Sequence, residues 1–147
     1  KAITFSPTIK VAEKIKYGFT LHSKQTKKKR GLTMDEFIPL KEGVLNTSKS
    51  LDEGADIPGL NLAIILGVSS SSRQKVQRIG RTVRKAEGKV AEVFTLVLKG
   101  TVEEEWFRKS ASSENYITLD EHSLTAMLKG EEFTPKKNSK KQLILRF

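Results

Sequence analysis

The stretch QRIGRTVR, from Gln77 to Arg84, contains three arginines within eight residues. On a helix, Gln77, Arg81 and Arg84 fall at positions i, i+4 and i+7, which lie on one face. The opposing face is apolar and consists of Val76, Ile79 and Val83. Because guanidinium groups bind phosphate oxygens in a planar, bidentate manner and keep their charge at any working pH, this pattern indicates recognition of a phosphate. The alternative is an amphipathic helix whose basic side faces solvent.

A second group of polar residues follows the apolar segment GVLNTS. Thr47 and Ser48 stand at the end of that predicted strand, and Gly54 and Asp56 fall in a turn closed by Pro58. In open parallel sheets, ligands bind beyond the carboxyl ends of the strands. Hydroxyls and main-chain amides at such an edge are suitable partners for a phosphate backbone. An ordinary loop with local hydrogen bonds is the alternative for this segment taken alone.

Composition limits the classes of protein that need be considered. The chain has 147 residues, 37% hydrophobic residues, no cysteine and a formal net charge of +10. This length is typical of about one domain, and without cysteine neither disulfides nor thiolate metal sites are available. A positive field of this kind favours polyanions such as nucleic acid, although a solvated basic surface has the same composition. We expect a cytoplasmic or nuclear location, since no targeting signal or membrane-length apolar run is seen. The chain begins with Lys1 rather than Met, which is compatible with a fragment or with trimming.

Apolar periodicity predicts alternating strands and helices. The predicted strands cover 1–6, 19–23, 43–48, 60–68 and 89–100, and the predicted helices cover 8–18, 32–40, 69–85 and 101–110. Such alternation is typical of an α/β fold around a mostly parallel sheet. The pattern weakens after about Ser110, and residues 134–147 read as a basic linker followed by an apolar segment.

Taken together, TSKSLDEGADIP and QRIGRTVR resemble motifs V and VI of superfamily 2 helicases and translocases. The resemblance is closest to the branch with the XPB-like and phage UvsW-like DNA helicases. The opening KAITFSPTIKVAEKI is similar to the motif IV strand and helix of the second RecA-like domain. The resemblance covers residues 1–110 and implies a three-layer RecA-like domain. It leaves residues 111–147 as a C-terminal extension with a basic tail, which we expect to be partly ordered.

The resemblance assigns nucleotide-related roles to five residues. Arg81 and Arg84 match the motif VI arginines that reach across a cleft to the γ-phosphate of ATP and act as catalytic arginine fingers. Gln77 matches a residue near the nucleotide, and Gly54 with Asp56 matches the part of motif V that faces the nucleotide. Their implied partner, ATP with Mg²⁺, would be held mainly by a first RecA-like domain.

The same resemblance assigns nucleic-acid contacts. Ser48, with Thr47 beside it, matches the hydroxyl that holds a nucleic-acid phosphate, while Lys49 and Thr8 are weaker candidates for the same backbone. The basic run Lys24–Arg30 is either a contact to a strand or duplex or a solvated loop. Two further side chains are expected to be structural rather than functional, namely His22 and Trp106, the latter with base stacking as its alternative.

The sequence has no G-x-x-x-x-G-K-[ST] loop and no D-E-x-[DH] motif for magnesium. We therefore expect the chain to be the second motor domain of an ATP-dependent DNA helicase or translocase, inactive without the first. One alternative is a non-catalytic nucleic-acid-binding module of the same fold. Another is the motor portion of a restriction or remodelling complex, which would share every one of these motifs.

Overall fold

The computed structural model describes residues 1–48, 57–68, 92–110, 117–132, 136–137 and 143–146. Within these ranges, the strands are β1 (Ala2–Ser6), β2 (Phe19–His22), β3 (Val44–Ser48), β4 (Leu62–Leu66), β5 (Glu92–Val97), β6 (Ile117–Asp120), β7 (Lys136–Lys137) and β8 (Leu143–Arg146). The helices are α1 (Ile9–Lys14), α2 (Lys27–Phe37), α3 (Val102–Ser110) and α4 (Glu121–Leu128).

The described strands form one sheet in the order β2-β3-β1-β4-β5-β8-β6-β7. Every pairing is parallel except that of β6 with β7. Parallel neighbours require helical crossovers, which explains why α1 and α2 intervene between the first three strands. The α/β class with a mostly parallel sheet, predicted from the alternation of elements, is confirmed.

One face of the β2-β3-β1-β4 half carries the main apolar core. Its fully buried members include Ile3, Leu45 and Phe37, and the last of these is supplied by α2. The Phe37 ring meets the Phe19 ring edge to face, with centroids 5.8 Å apart. Burying a side chain of this size stabilises the fold by about 1.5–3 kcal/mol, so Phe37 is the main anchor of α2 on the sheet.

The opposite face carries polar side chains on β2, β3 and β1. Parallel partners in register carry their side chains on one face, and Thr4 is the partner of Asn46. The Thr4 hydroxyl donates to Asn46 Oδ1 at 2.8 Å, and Asn46 Nδ2 donates to the Tyr17 carbonyl at 2.7 Å. Asn46 is fully buried, and an amide side chain is stable in such a position only when its polar atoms are hydrogen-bonded. α1 packs against these strands.

The sheet continues beyond residue 110. β8 lies between β5 and β6 and is parallel to both. An apolar cluster around Phe94 and Leu119 includes Leu124 and Met127 of α4, so α4 packs over this part of the sheet. The predicted apolar segment at the end of the chain is therefore a strand inside the sheet.

Two helices differ from their predicted bounds. α1 ends at Lys14 rather than near residue 18, because Ile15 is already extended and the chain must turn into β2. α2 begins at Lys27, not at residue 32, because the Thr26 side chain accepts a hydrogen bond from the main-chain amide of Lys29 and caps the helix. The basic run Lys24–Arg30 was predicted to be a solvated loop or a nucleic-acid contact, and its last four residues, Lys27–Arg30, form the first turn of a helix.

α3 begins where the sequence predicts it, with three glutamates in its first turn. Acidic groups at that end complement the helix dipole. Towards its other end, the Lys109 ammonium bonds the Glu105 carboxylate at 2.7 Å and, with its charge, lowers the pKa of Glu105. None of the helices in the described part of the chain is long and apolar enough to cross a membrane.

Candidate nucleotide and nucleic-acid interface

The carboxyl ends of β2, β3 and β1 bring three polar residues into one row. His22 is the register partner of Ser48, and Ser48 is the register partner of Ser6. Adjacent strands lie about 4.8 Å apart, so the row spans roughly 10 Å across the edge of the sheet. All three residues are buried. Of these three residues, the sequence places only Ser48 at this edge, and the register adds His22 and Ser6 beside it.

Hydrogen bonding in this row is incomplete among the described residues. Ser6 Oγ and His22 Nδ1 are buried and find no hydrogen-bond partner there. The other imidazole nitrogen, His22 Nε2, lies 3.2 Å from the Glu13 carboxylate of α1. A buried polar atom without a partner costs about 1–3 kcal/mol. The expected structural role of His22 agrees with its burial and its contact with Glu13, while Nδ1 remains able to accept or donate one further hydrogen bond.

Thr8 has an exposed hydroxyl at this edge. It follows β1 and forms the N-cap of α1, where its Oγ1 accepts from the main-chain amide of Val11 at 3.3 Å. A capping hydroxyl uses its oxygen for the helix and still has one hydrogen to donate. Thr8, predicted as a weaker backbone contact than Ser48, is thus more open to a phosphate than Thr47 or Ser48.

Thr47 and Ser48 differ from Thr8 in burial. Thr47 is fully buried, and its hydroxyl donates to the main-chain carbonyl of Thr4 at 2.8 Å, which ties β3 to β1. Ser48 is 2% exposed and has interactions of its own. The sequence identified the strand end correctly, but a hydroxyl's own burial depends on which elements lie above it, and the pattern of residue types does not contain that information.

The basic run from Lys24 to Arg30 lies directly after β2. The Gln25 side chain stabilises the turn between β2 and α2. Its Nε2 donates to the Thr20 carbonyl at 3.0 Å, and its Oε1 accepts from the His22 main-chain amide at 3.2 Å. The Gln25 amide in turn donates to the His22 carbonyl at 3.1 Å. The first turn of α2 is therefore fixed to the same edge as His22 and Ser48.

Trp106 lies on α3, where it is half-buried. It packs against a small apolar cluster formed by Val68, Val97 and Phe107. This position agrees with the interpretation of Trp106 as a core residue rather than a stacking platform for bases.

The remaining predicted site residues lie outside the described residues: Lys49, Gly54, Asp56, Gln77, Arg81 and Arg84. The ends of the two segments that contain them are nevertheless defined. Residues 49–56 follow the carboxyl end of β3, and residues 69–91 lie between β4 and the start of β5. Since β3 and β4 are both parallel to β1, both segments leave the sheet at the edge that carries Thr8, Ser48 and His22.

Metal-binding residues do not cluster in the part of the chain that the structure describes. No group of three or more histidine and carboxylate side chains comes together there in a way that could hold a metal ion.

The fold agrees with comparisons to known proteins. Residues 1–86 match the family model described as the helicase conserved C-terminal domain. Since this match covers more than half of the 147 residues, the chain belongs to that family and is the C-terminal RecA-like domain of a superfamily 2 helicase.

Relatives of this chain include both DNA and RNA enzymes. The chain is 33% identical over 106 residues to the DNA 3'-5' translocase XPB2 of Sulfurisphaera tokodaii, covering 70% of this chain and 24% of that protein. It is 38% identical over 66 residues to the mitochondrial ATP-dependent RNA helicase MSS116 of Phaeosphaeria nodorum, covering 45% of this chain and 12% of that protein. The chain thus spans a quarter or less of the length of these curated relatives.

Among solved structures, one similar chain is Mss116p DEAD-box helicase domain 2 bound to an RNA duplex. The TM-score is 0.65 at 22% identity, and the match covers 99% of this chain and 51% of that chain. At this level of identity the comparison shows a shared fold.

Proposed function

We propose that this chain is the second motor domain of an ATP-dependent DNA helicase or translocase and works only together with a first RecA-like domain. The observation that carries the proposal is the sheet edge itself. The segments with the motif V and motif VI residues leave the sheet at the same edge as the exposed Thr8 hydroxyl and the His22–Ser48–Ser6 row. If nucleotide and nucleic acid both bind at this edge, hydrolysis of the nucleotide would alter the contacts to the nucleic acid.

In the nucleotide site, Arg81 and Arg84 act as arginine fingers on the γ-phosphate of ATP. A finger of this kind stabilises the charge of the transition state and accelerates turnover by roughly 10³–10⁵-fold. Gln77, Gly54 and Asp56 face the same nucleotide. The phosphate loop and the acidic magnesium motif are absent from this sequence, so ATP and Mg²⁺ are held mainly by the first domain, and the isolated chain hydrolyses essentially no ATP.

In the nucleic-acid site, Thr8 donates its free hydroxyl hydrogen to a backbone phosphate. Ser48 and Lys49 contact the neighbouring part of the backbone, and Thr47 belongs to the same strand end, where its bond to Thr4 fixes the position of Ser48. Backbone contacts position a strand without reading its sequence. Opening and closing of the cleft between the two motor domains would move these contacts along the strand.

DNA is the substrate we propose, because the similarity to the XPB2 translocase extends over 70% of this chain. RNA is the second candidate, since the MSS116 helicase and the structure bound to an RNA duplex are also similar to this chain. The test is the ATPase rate of the two-domain protein with single-stranded DNA or RNA of the same sequence. Stimulation by DNA at least tenfold above that by RNA supports the proposal, and the reverse order overturns the DNA assignment.

A non-catalytic nucleic-acid-binding module is the rival function. The pair of arginines spaced as in motif VI favours the motor, because a module that never meets ATP gains nothing from them. The two functions differ in one observable: only the motor makes nucleic-acid-stimulated ATP hydrolysis depend on Arg84.

A further inference from the structure

Four exposed lysines, one in the turn before α2 and three in its first turn, form a cationic surface, here named the lysine arm: Lys24, Lys27, Lys28 and Lys29. Among the described residues, none of them forms an ion pair with a carboxylate. The first turn of α2 contains no acidic residue. Since a helix begins with a partial positive charge, cations in the first turn are unfavourable for the helix itself. The fold gains no stability from this charge, which indicates a role in binding.

The lysine arm is rigidly placed. Thr26 caps α2 through the Lys29 amide at 3.2 Å, and the main-chain amide of Arg30 donates to the Thr26 carbonyl at 3.0 Å. The Gln25 side chain spans the turn between β2 and α2 with two hydrogen bonds to main-chain atoms. At the other end of α2, Phe37 is fully buried in the core. The base of the arm is therefore ordered, while the four ammonium groups extend into solvent.

The lysine arm follows the strand end that carries His22, beside Ser48. It starts two residues after His22, whose register partner is Ser48 at the end of β3. The buried Nδ1 atom of His22 has no hydrogen-bond partner among the described residues, so this part of the edge has an unused polar atom of its own. From Thr8 at the end of β1, through Ser48 at the end of β3, the same sheet edge leads to the arm beyond β2.

We propose that the lysine arm binds the sugar-phosphate backbone of the strand that Thr8 and Ser48 contact, and that it lengthens the binding track past the outer edge of the sheet. This inference rests on the proposed function. Lysine suits the task because its ammonium is a flexible point charge that follows a phosphate without demanding one geometry. The arm thus adds affinity and salt dependence without sequence preference.

The test compares two triple variants that each remove three positive charges from the chain. The arm variant carries Lys27→Gln, Lys28→Gln and Lys29→Gln. The control variant carries Lys16→Gln, Lys41→Gln and Lys129→Gln, all exposed, with Lys16 and Lys41 preceding β2 and β3 at the amino edge of the sheet. Affinity for a 20-nucleotide single strand, as DNA and as RNA, is measured across a salt series, and thermal unfolding is followed in parallel.

For the arm variant we expect the slope of log affinity against log salt to become about 2 units less steep, since each phosphate contact to a single strand contributes about 0.7. The control variant should keep the slope of the unaltered chain. The unfolding temperature of the arm variant should be equal or higher, because cations leave the helix N-terminus. These results, with DNA, with RNA or with both, would support binding of a nucleic-acid backbone by the lysine arm. Comparison of the two series shows whether the arm prefers DNA or RNA.

Equal changes in the two triple variants would overturn the proposal, because net charge alone would then explain the effect. An unchanged slope in the arm variant would also overturn it, and if Thr8→Asp still lowered affinity at least tenfold, the proposed function would survive without the arm. Arm-dependent binding of polyglutamate in place of nucleic acid would assign the surface to an acidic protein and reject the proposal. Absence of any nucleic-acid binding by the unaltered chain, both alone and joined to its first RecA-like domain, would reject both the arm and the proposed function.

Discussion

His22 and Ser48 lie side by side at the carboxyl ends of β2 and β3, both buried, as register partners in parallel strands. This relationship brings two distant parts of the sequence to one place. The lysine arm follows His22, and the segment with the motif V residues follows Ser48. A row of strand ends therefore connects the most basic segment of the chain with the residues assigned to nucleotide and nucleic acid.

The exposed cap of α1 gives the first prediction. Thr8→Asp keeps a capping oxygen, so the free energy of unfolding should change by less than about 0.5 kcal/mol. It also removes the donor hydroxyl and places a negative charge beside the phosphate, so affinity for single-stranded nucleic acid should fall at least tenfold, or about 1.4 kcal/mol. Thr8→Ser is the matched control and should retain both properties. Normal binding by Thr8→Asp would exclude Thr8 from the backbone contact.

Two glycines give a matched pair for stability. Gly18 has φ +84°, and a Cβ there would overlap the Val44 carbonyl oxygen. Gly18→Ala should therefore destabilise the protein by about 2–4 kcal/mol in urea unfolding. Gly31 lies within α2, where an added Cβ would meet no atom within 4 Å. Gly31→Ala should stabilise by about 0.5–1 kcal/mol, and a tolerated Gly18→Ala would show that the turn before β2 differs from the one described.

The polar layer beneath α1 gives a third prediction. Asn46→Leu leaves the Thr4 hydroxyl and the Tyr17 carbonyl without their partner and should cost about 2–4 kcal/mol of unfolding free energy. Thr4→Val alone should cost less, since it leaves one acceptor unpaired. The loss of unfolding free energy in the double variant should be at least about 0.5 kcal/mol smaller than the sum of the losses in the two single variants. Strict additivity would mean that the two side chains do not interact.

Much of the fold could be predicted because its strands are short apolar segments that end at clear signals. β1, β3 and β4 lie within the strands read from KAITFS, GVLNTS and LNLAIILGV. α3 was predicted from its acidic first turn. These features are local, and a local pattern is what a single sequence contains.

Features that depend on tertiary contacts could not be predicted in this way. The run Lys27–Arg30 has no apolar periodicity and is helical because Thr26 caps it and Phe37 anchors the helix ten residues later. The sequence also does not show that β8 enters the sheet between β5 and β6. Likewise, only the register shows that His22 and Ser6 flank Ser48, since these residues are far apart along the chain.

The central claim, that motif VI supplies an arginine finger to a composite ATPase site, is tested most directly by one substitution. The measurement is the nucleic-acid-stimulated ATP turnover of the protein joined to its first RecA-like domain, with and without Arg84→Ala. Arg108→Ala serves as the control, because Arg108 is exposed on α3 beside Glu104. We predict a loss of at least about 100-fold for Arg84→Ala with nucleic-acid binding retained, and no loss for the control. Unchanged turnover in Arg84→Ala, or none in the unaltered protein, would contradict the account.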